Sequence, residues 1–330
     1  MQTCRLLKPA EDGDFLEAVL SGLRRTRRAI PPRFFYDARG SQLFDLICTT
    51  PEYYLTRAET AILDQFGAQM AEMIGVSCLL IELGSGSAVK TPHLLRHLDR
   101  DAVYVPIDIC APHLRHSTQQ LSRQFPAMRM LPLCADYLQL SSLPVDGHAD
   151  RRRAIFFPGS TIGNCTPEEA VRLLRQAAHL TGGNGALLIG VDGKKSPEIL
   201  NAAYNDSAGH TAAFNLNLLT RMRRELGAQL DPDGFAHYAC YNAAPGRIEM
   251  HLVSRRRQVV RLRGETFHFE EADTIHTENS YKYTPQEFQH LARKAGWHTK
   301  MSWTDRDGLF SMHYMSLSAG EPRRLSLRAR

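Results

Sequence analysis

Short apolar runs alternate with amphipathic helical patterns between about residues 78 and 192. Runs that are apolar almost throughout are typical of strands covered on both faces, and their alternation with helical periods predicts βαβ units and a parallel sheet. The pattern predicts strands at residues 78–83, 103–108, 129–133, 154–158 and 185–192. This part of the chain is therefore expected to form the core of an α/β fold.

Two of the predicted helices begin with the same capping signal. Thr166 and Thr284 are each followed by a proline and, three residues later, by a glutamate, which is a capping box with proline at the first helical position. The second helix is expected to end at Gly296. Strand-like runs at residues 299–304 and 309–317 follow it and predict an antiparallel hairpin.

A long interruption separates the fifth strand from the last helix. Residues 195–283 mix a helical stretch, 212–226, with strand-like runs near 237–242 and 247–253. We interpret this segment as an inserted α+β lid. The N-terminal residues 1–57 are predicted to be helical and aromatic-rich rather than β, and we expect them to pack with the insertion.

Five strands, an insertion, a helix and a terminal hairpin follow the order of a Rossmann-like, seven-stranded class I methyltransferase sheet. A dinucleotide dehydrogenase usually lacks the terminal hairpin. The pattern therefore predicts three parts: a cofactor-binding domain at residues 58–194 and 284–318, a substrate-binding lid at 1–57 and 195–283, and a basic tail at 319–330.

Charge and composition narrow the classes of partner. The 330 residues are 43% apolar and 23% charged, which is the balance of a globular protein with a sizeable core. Arginine runs at 24–28, 151–153 and 255–257 could hold phosphates, but no aromatic residues are interleaved with them as in an RNA-binding platform. We interpret the runs as solvated faces and expect no nucleic-acid partner.

Seven cysteines are scattered along the chain and never spaced as C-x-x-C, so neither a disulfide framework nor a zinc site is predicted. No apolar stretch approaches the ~20 residues of a membrane span, and residues 1–14 lack the apolar region of a secretory signal. We expect a reduced, cytoplasmic monomer with no membrane partner and no metal.

A glycine turn follows the first predicted strand. Gly84 and Gly86 stand directly after residues 79–83, where backbone N–H groups can approach a ligand at the carboxyl edge of a sheet. The dinucleotide fingerprint would need a third glycine at position 89, where this chain has Val89, so the turn is poorly suited to a pyrophosphate. S-adenosylmethionine (SAM) has no phosphate and fits such a turn.

Acidic residues stand at the next two strand ends. Asp108 ends the second strand, where its carboxylate can take both ribose hydroxyls, and Asp136 with Tyr137 follows the third, beside the expected adenine. Each acid alone is more often a helix cap or a turn residue. A glycine turn and two acids at three successive strand ends together favour a SAM site.

Six motifs occur in an order that we identify with a known family: residues 31–37 (PPRFFYD), 40–45 (GSQLFD), 51–54 (PEYY), 82–86 (ELGSG), 159–164 (GSTIGN) and 211–215 (TAAFN). Together they resemble the histidine Nα-methyltransferases of ergothioneine biosynthesis, which make hercynine. The resemblance covers roughly residues 20–318. The combination is highly specific, although each motif alone is not.

The resemblance implies SAM-dependent trimethylation of the α-amino group of free L-histidine, and it implies residue roles. SAM would be held by Gly84, Lys90, Asp108, Asp136 and the backbone of Tyr137. The histidine carboxylate and amine would be held by Tyr53, Asn164 and Tyr204, and its imidazole by Glu278 and Ser280, with Met250 lining the ring pocket. Tyr36 would lie near the reacting nitrogen.

The chemistry of methyl transfer agrees with these roles and leaves alternatives open. In-line displacement at a sulfonium needs a neutral, aligned nitrogen, and Tyr36, a poor base at neutral pH, would orient the amine or a water. A carboxylate at Glu278 would reject ligands without an imidazole N–H. The alternatives are a relative that acts on tryptophan or an indole derivative, a nucleic-acid-modifying enzyme, and a cofactor-binding scaffold without catalytic activity.

Overall fold

A computed structural model describes residues 5–6, 12–140, 142–144, 147–148 and 150–317. The predicted basic tail, residues 319–330, lies outside the described residues. The helices are α1 (Asp12–Leu23), α2 (Ala38–Ile47), α3 (Tyr54–Ile74), α4 (Thr91–Leu95), α5 (Ala111–Gln124), α6 (Pro167–Thr181), α7 (Pro197–Ala203), α8 (His210–Leu226) and α9 (Pro285–Arg293). The strands are β1 (Arg5–Leu6), β2 (Leu79–Leu83), β3 (Val103–Asp108), β4 (Arg129–Met130), β5 (Leu133–Cys134), β6 (Arg153–Phe157), β7 (Ala186–Asp192), β8 (Phe235–Asn242), β9 (Arg247–Ser254), β10 (Gln258–Leu262), β11 (Glu265–Phe269), β12 (Thr274–Tyr281), β13 (Trp297–Thr304) and β14 (Phe310–Leu317).

The central sheet is mostly parallel, as the sequence predicts. Its strands run β1-β5-β3-β2-β6-β7-β14-β13, and β4 also pairs with β3. The pairs from β5 to β7 are parallel, whereas β14 is antiparallel to both β7 and β13. With β4 and β5 taken as one interrupted strand and the two-residue edge strand β1 set apart, the remaining strands form the seven-stranded, Rossmann-like arrangement that the sequence predicts.

Two details of the sheet differ from the sequence prediction. The strand expected at residues 129–133 is broken into β4 and β5 because Pro132 lies between them and has no N–H to continue the ladder. The N-terminal segment, predicted to contain no strand, contributes β1, which pairs in parallel with β5 at the sheet edge. A two-residue strand is too short to show a period in the sequence.

The insertion forms a second, smaller sheet. β8, β9 and β12 make a three-stranded antiparallel sheet, and β10 pairs with β11 as a separate hairpin. The hairpin was not predicted: its turn residues are Arg263 and Gly264, both with positive φ, and arginine is not one of the residues by which such turns are recognised.

The N-terminal segment packs on this insertion. The backbone N–H of Ile30 donates to the carbonyl of His276 at 2.9 Å, and the rings of Phe35 and Phe214 lie 4.6 Å apart. On one face of the central sheet, Leu80 and Phe156 belong to the same apolar cluster as Phe214 of α8. The insertion and the central sheet therefore share one core on that face, and the other face is covered by a separate cluster.

Candidate active site

The carboxyl edge of the central sheet carries the predicted cofactor residues. Gly84 and Gly86 have φ values of +68° and +51°, which favour glycine. A Cβ atom on Gly84 would lie 3.7 Å from the Tyr137 ring, so a larger side chain would fill the space between the turn and that ring. The turn thus leaves backbone exposed to a ligand beside Tyr137.

Asp108 is oriented by the same turn. Its Oδ2 accepts a hydrogen bond from the backbone N–H of Gly86 at 2.8 Å, and its Oδ1 accepts one from Cys110 at 2.9 Å. Burial raises the pKa of Asp108, while these two hydrogen bonds oppose the rise. Each carboxylate oxygen has a further lone pair, so the residue can still accept from two vicinal hydroxyls, which fits the ribose of SAM.

Asp136 and Tyr137 form the next part of the edge. Asp136 Oδ1 accepts from the backbone N–H of Leu138 at 2.9 Å and so caps the 3₁₀ turn Tyr137–Gln139. The backbone carbonyl of Tyr137 accepts from the side chain of Gln176 at 2.9 Å. The Tyr137 ring lies 5.7 Å from that of Phe157, so both the backbone carbonyl and the ring of this residue have packing partners.

Lys90 is paired with a carboxylate that the sequence analysis did not single out. Its Nζ lies 2.5 Å from Oε2 of Glu59, a residue that is fully buried on α3. The same oxygen accepts the backbone N–H of Gly159 at 2.8 Å. Glu59 therefore connects the predicted cofactor lysine to the loop after β6, and residues of that loop line a cavity.

This acceptor cavity, named for the acceptor-binding residues predicted to line it, has a volume of about 50 Å³ and lies between the central sheet and the insertion. Its lining includes all seven residues predicted for acceptor binding and catalysis, namely Tyr36, Tyr53, Asn164, Tyr204, Met250, Glu278 and Ser280. It also includes Phe44, Thr211 and Phe214, to which the sequence analysis gave no role. Residues far apart in the sequence thus meet at one site, beside the cofactor edge.

A close approach of two segments brings Asn164 beside β12. The 3₁₀ turn Thr161–Asn164 packs on that strand so tightly that a Cβ atom on Gly163 would lie 2.8 Å from the carbonyl oxygen of Tyr281. Only glycine permits this separation without a shift of the backbone. The turn and the strand therefore form one wall of the cavity.

Glu278 is buried in this wall, with 7% of its surface exposed. None of the described residues forms a hydrogen bond or an ion pair with its carboxylate. Burial raises the pKa of Glu278 to about 7, and the nearby charge of Lys282 opposes the rise. A carboxylate in this setting can accept a hydrogen bond from an N–H group of a ligand.

A β-bulge directs Glu278 inward. The pairing of β12 with β9 changes register between His276 and Glu278, so Thr277 is the extra residue. The single proton of the Thr277 hydroxyl is shared between Oδ1 of Asn215 at 2.9 Å and the carbonyl oxygen of Met250 at 3.1 Å. Asn215 ends the TAAFN motif, and its amide thus holds the bulge in place.

Aromatic rings line the part of the cavity nearest the cofactor edge. The Tyr36 ring lies 5.6 Å from Phe214 and 5.8 Å from Phe44, and the rings of Tyr53 and Tyr204 lie 6.3 Å apart. Burial raises the pKa values of the Tyr36 and Tyr53 hydroxyls well above their usual range. Both are therefore neutral at pH 7 and can orient a ligand but not act as strong bases.

Tyr36 lines the cavity together with Glu278. Burial is the main cause of its raised pKa, and the nearby carboxylates of Glu278 and Asp108 contribute further to the rise. Because Asp108 belongs to the cofactor edge, Tyr36 lies within electrostatic reach of both sets of predicted residues.

A buried charged network beneath the cavity was missed by the sequence analysis. Asp192 at the end of β7 accepts from the Tyr54 hydroxyl at 2.8 Å and is paired with both Lys282 and Lys195. Lys282 donates in turn to Ser280 and Tyr204. An aspartate at a strand end was the available signal, but nothing in the sequence pairs it with a lysine 90 positions later.

Two negative findings apply to the described part of the chain. It holds no group of three or more His, Cys, Asp or Glu residues arranged to bind a metal ion. Within the same residues, no helix has both the length and the apolar character needed to cross a membrane.

The fold and the site together define a class I SAM-dependent methyltransferase. The sheet is parallel with two added antiparallel strands, a glycine turn follows its first long strand, and acidic residues stand at the next two strand ends. The profile of one family, described as "Histidine-specific methyltransferase, SAM-dependent", matches residues 15–317. The chain belongs to this family.

Curated relatives agree with the family assignment. The histidine N-alpha-methyltransferase of Mycobacterium tuberculosis is 39% identical over 300 residues, which are 89% of this chain and 92% of the relative. Ergothioneine biosynthesis protein 1 of Neurospora crassa is 30% identical over 84% of this chain, which matches 32% of that longer protein. The 4-dimethylallyltryptophan N-methyltransferase of Claviceps purpurea is 26% identical over 88% of this chain and 91% of its own length.

Proposed function

We propose that this enzyme transfers three methyl groups in succession from SAM to the α-amino nitrogen of free L-histidine and so makes hercynine, the first step of ergothioneine biosynthesis. One observation carries the proposal: the carboxylate of Glu278 is buried, has no partner among the described residues, and lines a cavity next to the cofactor edge. An imidazole N–H is the donor that such a carboxylate would accept.

The cofactor residues would position the donor. Asp108 would accept the two ribose hydroxyls, Gly84 would allow close approach of the backbone, and Asp136 and the backbone of Tyr137 would lie against the adenine. Lys90 would act at the same edge through its pairing with Glu59. SAM, when bound, supplies the electrophilic methyl group on its sulfonium.

The acceptor residues would position the amine. Glu278 and Ser280 would bind the imidazole, with Met250 packed against the ring, and Tyr53, Asn164 and Tyr204 would bind the carboxylate and the amine. The Tyr36 hydroxyl oxygen would accept a hydrogen bond from the α-amino group and so direct the lone pair of the nitrogen at the methyl group. Each of the first two transfers leaves a proton on nitrogen that must depart to water before the next transfer, because only a neutral amine can attack.

Two parts of the chain would bind the two ligands. We propose that residues 58–194 and 284–318 bind SAM, and that residues 1–57 and 195–283 form the substrate-binding lid. Helix α3 crosses the first boundary, since it begins at Tyr54 and carries Glu59. We propose that the enzyme is a monomer, and the scattered cysteines support a reduced, cytoplasmic setting.

A product assay tests the function. The enzyme is incubated with SAM and a panel of free amino acids that includes histidine and tryptophan, and products are identified by mass spectrometry with fragmentation. Histidine should yield mono-, di- and trimethylated products with every methyl group on the α-nitrogen. No methylation of histidine at saturating concentrations, or a clear preference for tryptophan, would contradict the proposal.

A further inference from the structure

A buried lysine beneath the acceptor cavity has no part in the roles assigned above. Lys282 follows β12 directly and is 1% exposed. Its Nζ lies 2.7 Å from Oδ2 of Asp192, 2.9 Å from Oγ of Ser280 and 3.0 Å from the hydroxyl oxygen of Tyr204. An ammonium group has three N–H donors and no lone pair. All three donors of Lys282 are therefore in use.

Asp192 keeps this lysine charged. Burial alone would lower the pKa of Lys282, but the carboxylate of Asp192 and the neighbouring Tyr204 outweigh burial, and the pKa is raised. Asp192 is itself held by the Tyr54 hydroxyl and by Lys195. The Lys282 ammonium is thus a fixed cation that can only donate to the oxygens above it.

Those oxygens belong to two hydroxyl groups on the cavity wall. The hydroxyl of Tyr204 donates to Ser280 Oγ at 2.7 Å, and burial raises the pKa of Tyr204, so it keeps its proton. Ser280 Oγ accepts from both Tyr204 and Lys282, which occupies its two lone pairs. The polar function that remains to Ser280 is its own proton.

We propose that Lys282 is a positioning residue that makes the Ser280 hydroxyl an obligatory hydrogen-bond donor to the acceptor substrate. Glu278 lies two residues before Ser280 on strand β12, and its carboxylate accepts hydrogen bonds when ionised. The wall then requires a ring with an N–H facing Glu278 and a lone-pair nitrogen facing Ser280. Neutral imidazole has both groups, whereas indole has an N–H but no lone-pair nitrogen.

This inference rests on the proposed function and adds to it the selection of the ring's protonation state. Without the ammonium, the Ser280 and Tyr204 hydroxyls could rotate and accept from a ligand as readily as donate to it. Because the Lys282 ammonium can only donate, it occupies one lone pair on each hydroxyl oxygen, and the hydrogen bond from Tyr204 occupies the second lone pair of Ser280. The contribution of Lys282 is therefore to specificity rather than to the transfer step.

The test compares two ligands that differ at one ring atom. Calorimetry in mildly alkaline buffer, with S-adenosylhomocysteine present, measures the affinities of histidine and of a pyrrolylalanine in which C–H replaces the lone-pair nitrogen. The wild-type enzyme should bind histidine at least about tenfold more tightly. In Lys282→Met the ratio should fall to about threefold or less, mainly through weaker histidine binding.

Two further variants make the result specific. Lys195→Met removes the other lysine from the same Asp192 carboxylate. The Lys195 ammonium is paired with Asp192 and Tyr54 and forms no hydrogen bond with Ser280 or Tyr204, so the affinity ratio of this variant should match the wild type. In the single variant Lys282→Met, the buried Asp192 carboxylate loses one partner. The double variant Lys282→Met with Asp192→Asn removes both charges and so avoids this cost. Retained affinity for S-adenosylhomocysteine shows that each variant is folded.

The outcomes separate this inference from the function on which it rests. A wild-type ratio near one, a ratio retained in both Lys282 variants, or an equal loss in Lys195→Met would overturn the role of Lys282. An enzyme that neither binds nor methylates histidine would instead overturn the proposed function.

Discussion

Glu278 is the residue whose environment is hardest to explain by stability. A buried carboxylate without a partner costs free energy unless it is protonated or meets a donor. Here the cost is not offset by any described side chain, and Lys282 contributes only at a distance. The arrangement is accounted for if a ligand supplies the missing donor.

Replacing the Glu278 carboxylate should affect the affinity for histidine and the affinity for the cofactor product differently. Glu278→Ala is expected to weaken histidine binding by about tenfold or more, since a hydrogen bond to a charged group contributes about 1.5–3 kcal/mol. Binding of S-adenosylhomocysteine should change little, because Glu278 lines the acceptor cavity and not the glycine turn. Calorimetry with each ligand measures both affinities.

The control is Glu249→Ala on the adjacent strand β9, where the carboxylate is paired with Arg247 and lies outside the cavity. This variant should keep the histidine affinity of the wild type. Equal losses for histidine and for S-adenosylhomocysteine in Glu278→Ala would remove the residue from the acceptor site.

The raised pKa of Glu278 also predicts a pH dependence of stability. The pKa is about 7 in the folded chain, against 4.5 for an unperturbed glutamate, so the folded state favours the protonated form. The resulting stabilisation is complete below about pH 4.5 and is lost as the pH rises through about 7. A shift of this size corresponds to on the order of 3 kcal/mol.

Urea unfolding of the ligand-free wild type and of Glu278→Gln checks this. The difference in free energy of unfolding, wild type minus variant, should fall as the pH rises from about 4.5 to 7. The comparison cancels the contribution of Glu82, whose pKa burial also raises to about 7. A difference that is independent of pH would show that Glu278 titrates normally.

At the scale of elements, the bulge in β12 decides which side chains face the acceptor cavity. An unbroken strand would place alternate residues on one face, whereas here Thr277 and Glu278 are both buried. The Thr277 hydroxyl satisfies the amide of Asn215 and the carbonyl of Met250. Asn215 also donates to the backbone carbonyl of His251 at 3.0 Å, which connects the bulge to β9 and α8.

Removing the hydroxyl of Thr277 should lower the stability of the fold and weaken substrate binding. Thr277→Val keeps the shape of the side chain but leaves two buried acceptors with one partner fewer, which is expected to cost about 1–3 kcal/mol. The KM for histidine should rise, because Glu278 loses the register that directs it inward, while kcat should change less. Urea unfolding and steady-state kinetics measure the two effects.

Thr274→Val is the matched control, since Thr274 lies on the same strand and is exposed. It should leave both quantities within experimental error of the wild type. If Thr277→Val were as stable as Thr274→Val and had an unchanged KM, the bulge would not be held by this hydroxyl.

The elements that sequence could predict are those with a strong local signal. The strands β2, β3, β6 and β7 are apolar runs, and both capping boxes form, with Thr166 and Thr284 accepting from the backbone of Glu169 and Glu287. The hairpin β10–β11 and the edge strand β1 were not predicted, because their signals are a weak turn and a two-residue pairing.

At the scale of the whole molecule, the acceptor cavity exists because two sheets share a core. Tyr36 and Phe44 come from the N-terminal segment, Glu278 and Met250 from the small sheet, and Asn164 from the edge of the central sheet. The family resemblance predicted most of these residues, and their convergence on one cavity could be read only from the fold. The Asp192–Lys282 pair escaped prediction because it depends on long-range packing of β7 against the end of β12.

The most direct measurement is a crystal structure of the enzyme with S-adenosylhomocysteine and histidine bound together. The imidazole should lie against Glu278 and Ser280, the nucleoside at Asp108 and Gly84, and the α-amino nitrogen next to Tyr36 on the line toward the sulfur atom. A histidine bound with its ring toward the sulfur, or outside the cavity that Glu278 lines, would show that these residues do not have the proposed roles.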